Sequence, residues 1–353
     1  PHVLWTSPNF YLEGDQQDFV PNDPEYVQQY THPLVGSESA WDFTLGDSSI
    51  VVGITDDGVD LVHDDLAPNI WENAGEIAGN GIDDDNNGYI DDVNGWDWAN
   101  DNNNPAPDGG THGTHVAGIS AARTDNANGV AGLSGHSTIM PLQFYGGVNG
   151  WTASIINNTF TYAADNGAHI VNTSYNINGW VGDPVFTAGM QYMYDNGVLH
   201  FNSAGNGSEL NPARQAFEQT FLVVSTTSSD TKSGFSNYGT GVDISAPGSD
   251  VYSTLPGQGY GNKSGTSMAA PNAAGAAALI WSANPSWTRA QVVSQLLGNA
   301  DNIDAQNTGY SGLMGAVRIN ASLALAETLA APQIKSLTNV PADGGTTSDF
   351  TID

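Results

Sequence analysis

Cysteine is absent from these 353 residues, so neither a disulfide framework nor thiol chemistry is available. Basic side chains are scarce as well: 7 Lys and Arg stand against 38 Asp and Glu, a formal charge of −31. Phosphate contacts need cations, so nucleic acid and anionic membrane are not expected partners. No apolar run reaches the roughly 18–20 residues of a membrane helix. No signal peptide stands at Pro1 either, so any export signal is expected to have been removed. Hydrophobic residues make up 39%, enough for a sizeable core. The length suits one large α/β domain or two smaller ones. The acid excess can serve solubility in salt or hold divalent cations.

Patterning divides the chain into short apolar runs and periodic segments. Ser49–Thr55, Thr138–Phe144, Ala168–Ser174, Val198–Ser203 and Phe221–Ser225 are expected strands. Thr114–Ala122, Ala153–Asn166, Val185–Asn196, Thr288–Leu297 and Ala316–Leu329 are expected helices. Residues 73–110 are rich in Asp, Asn and Gly and are expected to be loop. Strand and helix alternate, which implies a mostly parallel sheet covered on both faces, an α/β three-layer arrangement. Residues 1–21 show no period and are expected to be an N-terminal extension or propeptide remnant. Residues 331–353 turn to Pro, Thr and Gly and are expected to be a linker or the start of an accessory β domain.

Four short motifs carry chemistry. Gly265-Thr266-Ser267-Met268-Ala269-Ala270-Pro271 places a serine at the expected start of an alanine-rich helix, near backbone N–H groups and a positive dipole end. Ile54-Thr55-Asp56-Asp57-Gly58 ends a strand with an acid. His112-Gly113-Thr114-His115-Val116-Ala117-Gly118 starts a helix with an imidazole. Asn202-Ser203-Ala204-Gly205-Asn206-Gly207 puts an amide in a glycine-flanked turn. Any one of these residues alone reads as surface or satisfied core. Together, in the order Asp, His, Ser, they resemble the subtilisin-like serine proteases (subtilases) over roughly residues 22–330.

The resemblance implies a secreted bacterial serine endopeptidase with the three-layer α/β/α subtilisin-like fold. Ser267 would be the nucleophile, His112 its base and Asp56 the orienting acid. Asn206 would donate to the oxyanion, with the Ser267 backbone N–H as second donor. Tyr145, Gly146, Gly147 and Gly150 match one extended segment that pairs with bound peptide, and Ser174, Tyr175 and Asn176 match the other. Ser203, Ala204 and Gly205 would wall the primary specificity pocket. Tyr175 and Asn176 stand where the family commonly has Leu and Gly, which leaves the pocket's preference open. Asp183 downstream is either a source of charge or plain loop. Asp57 matches the second acid of the kexin and furin branch, which faces basic substrate side chains. His115 and Met268 fit the bacterial subtilisin and thermitase side better. A His112–His115 pair can in principle bind zinc, but the motif carries no acidic base, so a buried structural histidine is the expectation.

Calcium is the expected cofactor, two or three structural ions. Asp83, Asp85 and Asn87 alternate as in an EF-hand loop, with Gly88 in the sixth position, but Asn94 occupies the place of the closing Glu. A non-EF site is therefore expected from Asp83, Asp85, Asn87, the Tyr89 carbonyl and Asp92. Family resemblance implies two more. One would use Asp23, Asp65, Asn126 and the carbonyls of Asn128 and Val130. The other would use Asp97, Asp101, Asn102 and Asn104. Protein or peptide substrates, an inhibitory propeptide and a monomeric state complete the expectations. A processing protease selective for basic residues, and a catalytically dead subtilase serving as a binding module, are the alternatives.

Overall fold

A computed structural model describes residues 18–329, so the expectations for residues 1–17 and 330–353 lie outside the described residues. In chain order the elements are α1 (Thr31–Val35), α2 (Ser37–Trp41), β1 (Val51–Asp56), β2 (Trp96–Asp97), α3 (His112–Ala121) and β3 (Thr138–Gln143). Then follow α4 (Ala153–Asp165), β4 (Ile170–Thr173), α5 (Pro184–Asp195), β5 (Leu199–Ser203), β6 (Thr220–Thr226) and β7 (Ile244–Pro247). The series closes with β8 (Val251–Leu255), β9 (Gly259–Lys263), α6 (Thr266–Ala283), α7 (Arg289–Gly298) and α8 (Ala321–Leu329).

Seven strands form one parallel sheet in the order β2-β3-β1-β4-β5-β6-β7, while β8 and β9 form a separate antiparallel hairpin. All six β1 residues are buried, as a central parallel strand with both faces covered demands. Side chains alternate between two cores. Val52, Ile54, Ile139 and Ile170 join Val116 and the alanines of α6 on one face. Val51, Met140, Leu142 and Val171 join Ile156, Phe160 and Phe186 of α4 and α5 on the other. The layers are therefore helix, sheet, helix, as expected. Small residues let α6 run against α3, and a Cβ on Gly275 would lie 3.1 Å from the Ser120 carbonyl.

The chain runs from β1 to β2 and β3 on one side, then crosses to β4 on the other. That reversal sets a crevice at the carboxyl ends of β1 and β4, the place where open α/β sheets bind ligands. Asp56 ends β1 and Ser174 follows β4.

Several boundaries differ from expectation. The helices α1 and α2 were not anticipated from their mixed polar sequence. Their apolar residues seat Trp41 and Val35 in the core, and the Trp41 indole donates to the Leu133 carbonyl. A two-residue strand, β2, interrupts the expected loop 73–110 by pairing with β3. The expected helix from Ala316 begins only at Ala321. The preceding Arg318 bridges Ser245 and Asp301 instead, an edge pairing that local periodicity cannot show.

Candidate active site

The helix α6 explains the placement of Ser267. Gly265 caps it and Ser267 is its second residue, in the first turn whose N–H groups lack helical partners. Pro271 lies inside the helix and has no N–H to give the carbonyl four residues back, which is that of Ser267. The hydroxyl of Ser174 fills that vacancy, donating to the Ser267 carbonyl at 2.9 Å. In return the Ser267 hydroxyl donates to the Ser174 carbonyl at 2.9 Å. This reciprocal pair ties the serine to the end of β4.

His112 opens α3, and both oxygens of Asp56 face its Nδ1, at 2.8 and 2.9 Å. Asp56 is buried at the end of β1 while the His112 side chain is one-third exposed. Burial alone would lower the His112 pKa. The charge of Asp56 and its hydrogen bond, with Asp57 behind, outweigh that and raise it above the usual histidine value. The imidazole is thereby held with Nδ1 toward the acid and Nε2 free of protein partners, the arrangement of an oriented base. His115 is wholly buried, bonds the Gly261 carbonyl through Nε2 at 3.0 Å and has its pKa lowered by burial to about 4. It is a structural histidine, as expected.

Asn206 has its orientation set by Thr266. Its Oδ1 accepts from the Thr266 N–H and hydroxyl, both at 2.9 Å. Nδ2 is left to donate elsewhere. It lies 3.5 Å from where a Gly265 Cβ would stand, as does the Ser267 N, so the two donors border one space.

Asp57 has a structural role that its motif did not show. Its carboxylate accepts from the N–H of His112 at 3.1 Å and of Gly113 at 2.6 Å, so it caps α3. Burial raises its pKa, with the Asp56 charge adding to that. Each of its oxygens accepts one N–H of the helix that carries His112, and the residue also lines the second cavity described below.

Two cavities meet at Ser174. The first, of about 350 Å³, is lined by Ser174, Tyr175, Asn176, Ser203, Gly205, Asn206 and Ser267, as expected. It is also lined by Asn178, Glu209, Asn237 and Arg214, which sequence reasoning missed. Ala204 is not among them; it is buried in a small cluster with Leu222 and Val224. Asp183 caps α5 through the N–H groups of Val185 and Phe186 and is not in the pocket. The second cavity, of about 180 Å³, lies between Asp56, Asp57 and His112 on one side and Phe144, Tyr145, Trp151 and Tyr175 on the other. Tyr175 packs there on Phe144, with ring centroids 4.5 Å apart. Segment 145–149 is a series of bends rather than the extended strand expected. Asn149 anchors it to the Ala99 carbonyl, and Gly147 packs where a Cβ would lie 2.5 Å from the Ala99 backbone. Gly146, Gly147 and Gly150 line neither cavity.

Arg214 carried one signal in the sequence: it is the only Lys or Arg between residues 124 and 231. Its guanidinium is buried and its pKa lowered by burial to about 10, so it stays charged at neutral pH.

The acidic loops gather as donor sets of hard oxygen atoms, the chemistry calcium prefers. Asp65 accepts from Asn126 Nδ2 at 2.9 Å, Asn128 Nδ2 at 3.2 Å and Val130 N at 2.7 Å. Asp23 accepts from the N–H of Asp125 and Asn126. Burial raises the pKa of both carboxylates, and the Asp65 charge adds to that of Asp23. Elsewhere Glu76, Asp83 and Asp85 bring carboxylate oxygens within 4.8 Å of one another. Glu76 was not anticipated because it precedes the acidic run; its carboxylate also accepts from the N–H of Asp84, Asp85 and Asp91. Asn87 caps that loop beside Tyr89, whereas Asp92 is fully buried and receives the Tyr162 hydroxyl. A third cluster lines a 180 Å³ cavity with Asp97, Asn102 and Asn104, joined by Asn100 and Asp108. Asp101 takes a left-handed conformation (φ 56°) and does not line it.

Known proteins place this geometry. A family model described as the subtilase family matches residues 47–317. Thermitase of Thermoactinomyces vulgaris is 34% identical over 83% of this chain and 96% of its own length. A thermophilic serine proteinase of a Bacillus strain is 33% identical over 79% of this chain and 63% of its own. A halolysin-like extracellular serine protease of Natrialba magadii is 35% identical over 87% of this chain and 53% of its own. Among solved structures, proteases from Pseudoalteromonas arctica align with TM-score 0.69 at 26% identity, covering 87% of this chain and 99% of theirs. The chain belongs to the subtilase family and is a serine endopeptidase.

Proposed function

We propose that this subtilase is a secreted, calcium-stabilised endopeptidase that cleaves proteins through Asp56, His112 and Ser267, with Asn206 at the oxyanion. The observation that carries the assignment is Asp56 set with both oxygens at His112 Nδ1, while Ser267 stands in the first turn of α6.

On binding of a peptide, Ser267 Oγ leaves the Ser174 carbonyl and gives its proton to His112 Nε2 as it attacks the scissile carbonyl carbon. Asp56 keeps the Nδ1 proton in place and stabilises the imidazolium. The carbonyl oxygen becomes an oxyanion that accepts from Asn206 Nδ2 and the Ser267 N–H. The C–N bond then breaks, His112 gives its proton to the leaving amine, and an acyl-enzyme ester remains. Water, deprotonated by His112, repeats the cycle on the ester and frees the acid.

Calcium, when bound, would supply electrostatic support to the loops and would take no part in this chemistry. Asp23, Asp65, Asn126, Asn128 and the Val130 carbonyl would hold one ion. Glu76, Asp83 and Asp85, with Asn87 and the Tyr89 carbonyl, would hold a second, and Asp97, Asn102 and Asn104 a third. The burial of Asp23 and Asp65 and the close approach of the Glu76, Asp83 and Asp85 oxygens support this reading, since a cation would offset either. Extracellular relatives support secretion, and the family supports an inhibitory propeptide. No described helix is long and apolar enough to cross a membrane.

Ser267→Ala is expected to abolish hydrolysis of a denatured protein substrate while leaving the thermal transition in place. Retained hydrolysis by that variant overturns the assignment.

A further inference from the structure

Arg214 joins the two walls of the primary cavity. Its Nη1 donates to the carbonyls of Ser203 at 2.5 Å and Tyr175 at 3.3 Å, and to Asn202 Oδ1 at 3.2 Å. Its Nη2 donates to Asn176 Oδ1 at 2.5 Å and its Nε to Asn178 Oδ1 at 2.9 Å. Ser203 belongs to the wall that leads to Asn206, while Tyr175, Asn176 and Asn178 belong to the wall that follows β4. The guanidinium, 2% exposed, is thus a charged cross-brace beneath the pocket.

The same bonds fix what the pocket offers a ligand. Asn176 Oδ1 is taken by Arg214 and the Asn178 N–H, and Asn178 Oδ1 by the N–H and Nε of Arg214. Each of these amides therefore has its oxygen occupied and its Nδ2 without a protein partner. A guanidinium carries five N–H donors, and one on Nη2 is left over. Nη2 lies 3.3 Å from where a Cβ on Gly205 would stand, at the pocket lining. Asn237 accepts from Gly207 and Glu209 through its oxygen and donates one N–H to Ala204. The free groups that Arg214 and these two amides offer there are donors, while the Glu209 carboxylate and the Ser203 hydroxyl line the same cavity.

We propose that Arg214 is the specificity-determining residue of the primary pocket, which selects a residue before the scissile bond whose side chain ends in a carbonyl oxygen. A carboxamide such as Gln meets the donors without bringing charge. A carboxylate meets them too but faces Glu209, exposed at the same cavity, and a chain of net charge −31. A Lys or Arg side chain can pair with the exposed Glu209, but it brings donors to these donors and a cation to the guanidinium. A large apolar side chain leaves the amides and Nη2 buried without partners.

This rests on the peptidase assignment above, and the experiment separates the two. The protein is labelled with a fluorophosphonate and assayed on matched chromogenic peptides that differ only in Gln, Glu, Leu or Lys before the cleaved bond. The expected kcat/KM is highest for Gln and exceeds Lys and Leu by about tenfold, the size of one hydrogen bond to a charged group. Arg214→Met is expected to keep labelling and flatten the Gln preference. Asn176→Asp, at an exposed position, keeps the oxygen that Arg214 holds and replaces the donor by an acceptor, so the Gln to Lys ratio is expected to fall. That second variant decides the matter if Arg214→Met does not fold. A parent enzyme that labels but favours Leu or Lys overturns this inference alone, as does an unchanged profile in a labelled variant. A parent enzyme that does not label overturns the peptidase assignment itself.

Discussion

His112 must be neutral to take a proton, and its surroundings work against that. Asp56 and Asp57 outweigh burial and hold its pKa above the ordinary histidine value. The acid limb of kcat/KM is therefore expected above about pH 6.5, activity rising with pH as the imidazole loses its proton. Asp56→Asn removes the charge, so the limb should move to lower pH. The same change also favours the wrong tautomer, which in another Ser-His-Asp enzyme lowers kcat by about 10⁴. A parent limb at or below pH 6.5 would contradict this account. Ser174 carries a second residue-scale prediction, because its hydroxyl satisfies the carbonyl that Pro271 leaves open. Ser174→Ala should cost about 1 kcal/mol, seen as a several-fold loss in kcat with KM little changed. An unchanged kcat would show that the pair does not position Ser267.

At the scale of elements, the crevice depends on how α3 and α6 begin. Asp57 caps α3 at His112, the proposed base, so the helix start and that residue are stabilised together. Asp57→Ala is expected to lower stability by about 0.5–2 kcal/mol, as for loss of an N-cap, read as a lower thermal midpoint. Its cleavage profile toward basic residues should not change; a selective loss of Lys and Arg cleavage would restore the basic-selective alternative. The sequence made the acid at the end of β1, the serine at the head of α6 and the alternation of strand and helix legible, because each rests on local periodicity and turn chemistry. Arg214 and Glu76 were not legible. Arg214 sits in a segment without period, and its role arises from bonds to residues 11 to 39 positions away. Glu76 precedes the acidic run by several residues and joins it only through the loop's return.

Across the whole molecule the charge is one-sided, and the cations among the described residues are committed. Arg318 pairs with Asp230 and Asp301, Arg289 lies over the Tyr194 ring, and Lys232 is buried against Tyr238 and Tyr310. Arg123 and Lys263 hydrogen-bond to Asn69 and Thr111. The acids of the loops have little protein charge left to answer them, which leaves divalent cations and salt to do so. Removing calcium with excess chelator is expected to lower the thermal midpoint by on the order of 5–10 °C per site, if each is at about a hundredfold its Kd beforehand. Glu76→Gln should reduce the bound calcium by one ion without altering the active-site titre. An unchanged midpoint in chelator would count against any structural metal.

The reaction was determined by the sequence itself. Asp56, His112, Asn206 and Ser267 each stand in a short string whose turn or helix start is set by neighbours a few residues away. The groupings on which the proposed specificity and metal sites rest were decided only in the tertiary structure. Arg214 reaches Tyr175, Asn176, Asn202 and Ser203 because the sheet brings the ends of β4 and β5 side by side, and its bonds turn the pocket's oxygens inward. Asp57 also caps α3, a role that its motif did not show and that arose once α3 was folded against β1. Hydrogen-bond partners that lie far apart in the chain are chosen by packing, and no local string records them.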